Sequence, residues 1–549
     1  MGAESTTFLT WAAVVSAVLL LGLGARRARA GGGVPALGRA LRSRAAPLAV
    51  GAATALFLAW VWGSLREPTF VHDEASYLLQ ADIYASFRLS APPPPLPEFF
   101  EQYHVLLTPR LAPKYPPGHA LLLVPGLWLD RPGLLPVVLY GVAAGLLFAL
   151  ARALAGAWVA VLTWLLWLFA PMVNLWRASY LSQSSSTALW MLGAWLLWRW
   201  WEAGRPRDLV GIAVVVAWMG ITRPLTAVAF AAPLGALVLA RTWRGRALVP
   251  LAAAALAGCA VLGILPLWAA ASTGDWRTLP YNHYSRVYFP YEKLGFGLDP
   301  TPPLRELPAD MLPYDRLYRD VHAAYTPRAV PRALLDRLAA SLREFWGTPP
   351  WRGPLVLFFL AGLPALGRRG WFAVAWALAP FLVYLAYAHQ AAWAVYYYES
   401  HAVLAFVAAL GLWRTLGWLA GGSRHPGADA EARLELPAAA LAVLVLALGL
   451  SDARTTKEVV HRRVAYHRAF AGALAAIPQP RAVVFVRYHP AHNVHRSLIE
   501  NPPDHASARI WVVRDRGADN RRLIELAPDR TPYLFDEATG ALYRLTAGS

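Results

Sequence analysis

Phe70-Val71-His72-Asp73-Glu74 follows directly on one apolar run, and Lys114-Tyr115-Pro116-Pro117-Gly118 leads directly into the next. The polar segment between them decides how the chain is read, because nearly everything outside it is apolar enough to sit in lipid. Two adjacent carboxylates where a membrane helix exits are costly unless they are paired or used. This segment is therefore expected to be a loop that carries chemistry.

The 549 residues are 57% hydrophobic and only 15% charged, with a mean hydropathy of +0.38, against about 25% charged in soluble proteins. That composition implies a polytopic membrane protein. Apolar stretches suited to spanning helices run over 8–24, 45–65, 132–151, 157–176, 184–201, 208–222, 225–240, 247–271, 354–367, 371–388, 399–419 and 437–451, about twelve in all. The first has no basic residues before it and is followed by Arg26, Arg27 and Arg29, the reverse of a signal peptide, so it is expected to be retained. The 25 Trp and 22 Tyr suit helix ends at the membrane interface. The single cysteine, Cys259, excludes an internal disulfide and a Cys-based zinc site.

Arginines collect in alternate short loops: Arg26 to Arg44; Arg199, Arg205 and Arg207; Arg241, Arg244 and Arg246; Arg368 and Arg369; Arg414 and Arg424. With twelve spans all of these fall on one face, the cytoplasm, so the net charge of +18 reflects topology and not nucleic-acid binding. Loops 66–131 and 272–353 and the tail 452–549 then lie outside. Residues 1–451 read as the membrane domain. In the tail, Ala482 to Arg487 and Arg509 to Val513 are β-branched runs and Thr456 to Ile477 has helical spacing, which predicts a small extracytoplasmic α/β domain.

Within the first outer loop, over Ala75 to Leu89, Tyr77, Leu78, Ala81, Ala85 and, less regularly, Leu89 share a stripe that Gln80, Asp82 and Arg88 avoid, which predicts an amphipathic helix along the membrane surface. Pro92 to Pro95 stiffens the chain, and a second surface helix is expected after Pro117. Asp73 has two readings: a helix N-cap, which accepts backbone N–H bonds, or a catalytic carboxylate flanked by His72 and Glu74. Lys114, Arg110 and His119 return from the far end of the loop with charge suited to a phosphate.

Asp73-Glu74 followed by a Tyr-rich helix, and Lys114-Tyr115-Pro116-Pro117-Gly118, resemble the acidic pair and the Lys-Pro-Pro element of the C-type-fold membrane glycosyltransferases, the group of protein O-mannosyltransferases and aminoarabinose transferases. Thr273-Gly274-Asp275 with Tyr281, Tyr284 and Leu294-Gly295-Phe296-Gly297, and Tyr397-Tyr398-Glu399, are similar to elements of a bacterial branch. The resemblance implies an all-α membrane fold, a polyprenyl-phosphate-linked sugar as donor, a glycan, lipid or protein as acceptor, and Asp73 as general base, with Glu74 beside it. It also implies a site on the outer face of a bacterial inner membrane.

A hydroxyl attacking an anomeric carbon must lose its proton, and a carboxylate can take it. The phosphate leaving group needs cations instead of an acid, for which Lys114, Arg110, Arg177 and Arg223 are candidates, with His72 and His119 at hand. Arg177 has the alternative of interfacial snorkelling. Tyr397 and Glu399 could orient the donor sugar or belong to an interfacial aromatic belt. Where related enzymes carry a second acidic residue, Ser179 to Ser186 offers Gln183 and serines. His283, His389 and His401 lack ligand spacing, so no metal ligands are assigned, although a divalent metal stays open. Two other functions stay open as well: a transporter or flippase for a lipid-linked substrate, and a non-catalytic member of the same fold.

Overall fold

Uninterrupted Leu, Ala, Val and Trp leave the backbone no hydrogen-bond partners in lipid except those within the segment. Each apolar stretch is accordingly helical in the structure, a computed structural model that describes residues 3–27, 34–244, 248–421 and 428–545. Among the described residues seven helices are long and apolar enough to cross a membrane, and nine if two bent pairs each count as one span. The expected twelve exceed this by three. Gln183–Ala203 is diluted by its serines and by Arg199 and Glu202, and Pro206–Gly220 and Leu355–Gly362 are short. One bent pair, Ala157–Leu168 and Pro171–Arg177, turns by 70° where Pro171 cannot continue the helix.

Helices Ala46–Trp62 and Leu134–Ala155 cross at glycines: a Cβ on Gly141 would meet the Gly51 carbonyl at 2.7 Å. Small residues let the two backbones approach this closely.

The loops expected in the cytoplasm meet one another. Arg42 pairs with Glu435, Arg152 donates to the Leu41 and Ser43 carbonyls, and Arg369 pairs with Glu202. Of the arginines used for orientation, Arg29, Arg246 and Arg424 lie outside the described residues.

Elsewhere the two large loops and the tail pack together. The first loop contributes helix His72–Ala85, a small antiparallel pair β1 (Val105–Leu106) and β2 (Ala112–Pro113), and helix Gly118–Trp128. Helix 72–85 differs from the expected surface helix. His72, Gln80 and Ile83 are buried with the apolar stripe, because Gln80 donates to the Tyr115 carbonyl and the Tyr84 hydroxyl, which lets a polar side chain go inside.

The tail forms a sheet of β3 (Ala482–Arg487), β4 (Ile510–Arg514), β5 (Thr531–Asp536) and β6 (Ala541–Arg544) in the order β4-β3-β5-β6, parallel except for β6. Val483, Phe485 and Trp511 from this sheet share an apolar cluster with Phe99 and Phe100 of the first loop. Arg514 closes the junction, donating to the Glu101 carbonyl and pairing with Asp310, while Arg305 pairs with the Glu101 carboxylate. With Arg514 buried and the Asp310 side chain only 9% exposed, Arg514→Ala is expected to cost about 3 kcal/mol, because it strands a largely covered carboxylate. Thermal unfolding in detergent and faster proteolysis of the tail check this.

Candidate functional site

The first large loop (66–131), the ends of several apolar helices, the second large loop (272–353) and the tail together line a cavity of about 1370 Å³. Its chemistry begins at the N-terminus of helix 72–85. Val71 is extended, and Glu74, three residues on, accepts the backbone N–H groups of Phe70 (2.8 Å) and Val71 (3.3 Å), so the helix is capped by Glu74. The capping reading considered for Asp73 passes to its neighbour.

Asp73 is left free to face the cavity, its side chain 34% exposed. It accepts the Tyr115 hydroxyl and lies 3.1 Å from His72 Nδ1 and 3.7 Å from His104 Nε2. Burial would raise the Asp73 carboxyl, but the His104 and His72 imidazoles and the hydrogen bonds from His72 and Tyr115 hold it well below the usual carboxylate range. His72 and His104 line the cavity with it.

Glu74, expected beside Asp73 at the site, does not line the cavity. Its other oxygen accepts the Tyr180 N–H at 2.8 Å, and the side chain is buried away from the cavity. Burial pushes its carboxyl up to about 7 against the pull of those amides. Glu74→Ala is expected to destabilise the protein by about 3 kcal/mol, since buried N–H donors would lose their acceptor. Thermal unfolding should register that loss.

Lys114 is buried and places its ammonium 2.8 Å from both oxygens of Glu292, over the rings of Tyr281 and Tyr284. It is neutralised and does not reach the cavity wall; Glu292 does. The far end of the first loop thus meets Asp73 through Tyr115, one residue beyond Lys114. Arg110 is exposed, and its Nε donates to Ser90, outside the cavity. His119 is fully buried with both ring nitrogens engaged, by Ser185 Oγ and the Tyr180 carbonyl.

Arg177 neither snorkels nor faces the cavity. It donates to the Trp167 carbonyl and to Asn174 Oδ1, and stacks over Trp167 at 3.8 Å. It satisfies a carbonyl freed by the break at Pro171, which has no backbone N–H to offer it. Tyr397 stacks on Phe381 and bonds His389, and Glu399 accepts Ser186 Oγ; both are buried behind the wall. Their neighbour Tyr396 lines the cavity instead.

Arg223 does line it. The guanidinium is buried, its Nη2 is 3.3 Å from the Tyr384 hydroxyl and its carbon 5.5 Å from the Tyr396 ring centre. Its Nη1 has no hydrogen-bond partner among the described residues. A buried, half-satisfied guanidinium facing a cavity is suited to an anion.

Several wall residues escaped the sequence reading. Tyr314, Tyr318 and Tyr387 add aromatic surface beside Tyr281. His104 arrives from 32 positions beyond His72. Asn493, His495 and Arg496 come from the tail, where the His72 N–H donates to the His495 carbonyl at 3.3 Å. The Tyr-rich and His-rich compositions of these stretches were the available signals. Met172, Leu175, Trp176, Leu225 and Trp268 make another part of the wall apolar.

Residues 130–269 match the family described as dolichyl-phosphate-mannose-protein mannosyltransferase. Among solved structures, that of ArnT from Cupriavidus metallidurans bound to undecaprenyl phosphate superposes with a TM-score of 0.51 at 14% identity, over 90% of this chain and 91% of that one. ArnT from the same organism in the apo state gives a TM-score of 0.46 at 15% identity, over 88% of each chain. No curated protein sequence matches at a significant level. The partial family match and the shared fold bear out the resemblance to the C-type-fold membrane glycosyltransferases.

Proposed function

We propose that this protein is an integral-membrane glycosyltransferase that moves a sugar from a polyprenyl-phosphate donor to a hydroxyl of a glycan, lipid or protein at the outer face of a bacterial inner membrane. One observation carries the reading: an ionised carboxylate, Asp73, and a half-satisfied buried guanidinium, Arg223, line one cavity that also has an apolar wall. Asp73 takes the proton of the acceptor hydroxyl as its oxygen bonds the anomeric carbon. The bond from that carbon to the phosphate oxygen breaks, and Arg223 stabilises the charge left on the phosphate. The wall of Leu175, Trp176, Leu225 and Trp268 receives the start of the polyprenyl chain. The family match and the ArnT fold support the reaction class, and the undecaprenyl phosphate bound by ArnT supports the donor class.

The test is purified protein in lipid nanodiscs, incubated with a panel of polyprenyl-phosphate sugars and membrane extracts as acceptors. Mass spectrometry should find a glycosylated product and free polyprenyl phosphate in equal amounts. Movement of the donor across sealed liposomes with no product would overturn the reading in favour of a flippase.

A further inference from the structure

His72 Nδ1, His104 Nε2 and the Asp73 carboxylate converge on one point of the cavity wall. The two nitrogens are 2.8 Å apart, and the carboxylate oxygens lie 3.1 Å and 3.7 Å from them. All three ligand-capable groups fall within 4.8 Å of one another. We propose that these three side chains hold a divalent ion of the zinc class, with its remaining positions open to the cavity.

Four observations support the site. First, bonds of about 2.0–2.1 Å to one tetrahedral ion put its ligand atoms roughly 3.3 Å apart, inside the range seen here. Second, two imidazoles and a carboxylate suit zinc, and a set of three with an open side is the arrangement of catalytic zinc sites. Third, the rings are held in place. His72 stacks on Tyr103 with centroids 4.5 Å apart, and the His104 backbone is anchored by Tyr284, which accepts its N–H, and by Lys114, whose N–H its carbonyl accepts. His104 also adopts φ of 64°, a left-handed conformation uncommon outside glycine and kept where the surroundings enforce it. Fourth, the outer nitrogens, His72 Nε2 and His104 Nδ1, are buried with no partner among the described residues. Both outer atoms are free to carry the ring protons when an ion takes the place of the proton that His72 donates to Asp73. Glu292, a carboxylate on the same cavity wall, is already taken up by Lys114.

The role of the ion rests on the glycosyltransferase reading above. An acceptor hydroxyl occupying an open position is made more acidic. Its proton passes to the Asp73 oxygen that is not on the ion, its oxygen bonds the anomeric carbon, and the carbon–oxygen bond to the donor phosphate breaks with its electron pair on the phosphate.

The ion itself is tested without any sugar. Untagged full-length protein in nanodiscs is equilibrated with zinc, dialysed against metal-free buffer and analysed by elemental mass spectrometry. About one zinc ion per chain is expected. His104→Ala should lose at least about nine tenths of it, since two ligands remain, while His489→Ala, at an exposed imidazole, should keep all of it. Cobalt(II) bound to wild-type protein should give visible absorption bands that zinc abolishes. Wild-type protein that retains no stoichiometric metal overturns the site, as does His104→Ala retaining the wild-type amount; the first outcome needs no variant to fold. In that case the contacts are a His–His–Asp hydrogen-bond network alone. Zinc bound in full with no transfer to any acceptor counts against the glycosyltransferase reading and leaves the ion site standing. Undiminished transfer by protein stripped of metal overturns the ion's part in the reaction.

Discussion

Asp73→Asn should lower transfer by about 10³-fold, the usual contribution of a positioned general base, with the melting temperature nearly unchanged. Asparagine has the shape of aspartate and its carbonyl oxygen can still accept the Tyr115 hydroxyl, so the loop should keep its geometry. What it cannot do is take a proton. The structural burden at this helix start falls on Glu74, whose loss should lower stability instead, so the two adjacent carboxylates give opposite signatures. The pH profile separates them as well. A base acts when deprotonated, and Asp73 is held well below the usual carboxylate range, so wild-type kcat/KM should hold level as pH falls from neutrality to mild acidity and drop only beyond that. An acid limb near pH 7 would instead match Glu74, which burial raises to about 7, and would sink the assignment to Asp73.

Local patterns carried much of the reading. Runs of apolar residues located the helices, since a membrane segment must satisfy its own backbone, and the β-branched run Ala482 to Arg487 is a strand. Asp73 could be singled out because its position at a helix start is local. Its neighbour's role could not, because the third amide that occupies Glu74 belongs to Tyr180, 106 positions away. The same reason hides the fate of Lys114. A lysine before two prolines reads as a free cation until Glu292, 178 positions on, is folded against it. Arg177 and Arg223 look alike in sequence, each at a helix end. The break at Pro171 offers Arg177 carbonyls to bind, whereas beside Arg223 stand Tyr384 and the cavity. The histidine pair was missed because His104 follows His72 by a loop and not by a helical or hairpin spacing.

That contrast between arginines leads to the second large effect. Arg223→Ala should raise the donor KM, or lower kcat/KM where KM cannot be reached, by about 10²-fold, the equivalent of losing a charge-assisted hydrogen bond of roughly 1.5–3 kcal/mol. The loss should be matched by polyprenyl phosphate lacking a sugar: as a competitive inhibitor it should weaken by a similar factor, because the lost contact is to phosphate. Arg223→Lys should recover only part of the effect, since an ammonium restores charge but not the planar fork that can bind Tyr384 and a phosphate together. A structural role makes a different forecast. If Arg223 served chiefly to hold Tyr384, then Tyr384→Phe, which removes that hydroxyl and leaves the guanidinium, would reproduce the defect. Normal inhibition by polyprenyl phosphate in Arg223→Ala would likewise remove Arg223 from the phosphate site. The expected result is that Tyr384→Phe binds the lipid phosphate nearly as wild type does, because the unpartnered Nη1 nitrogen does not bond that tyrosine.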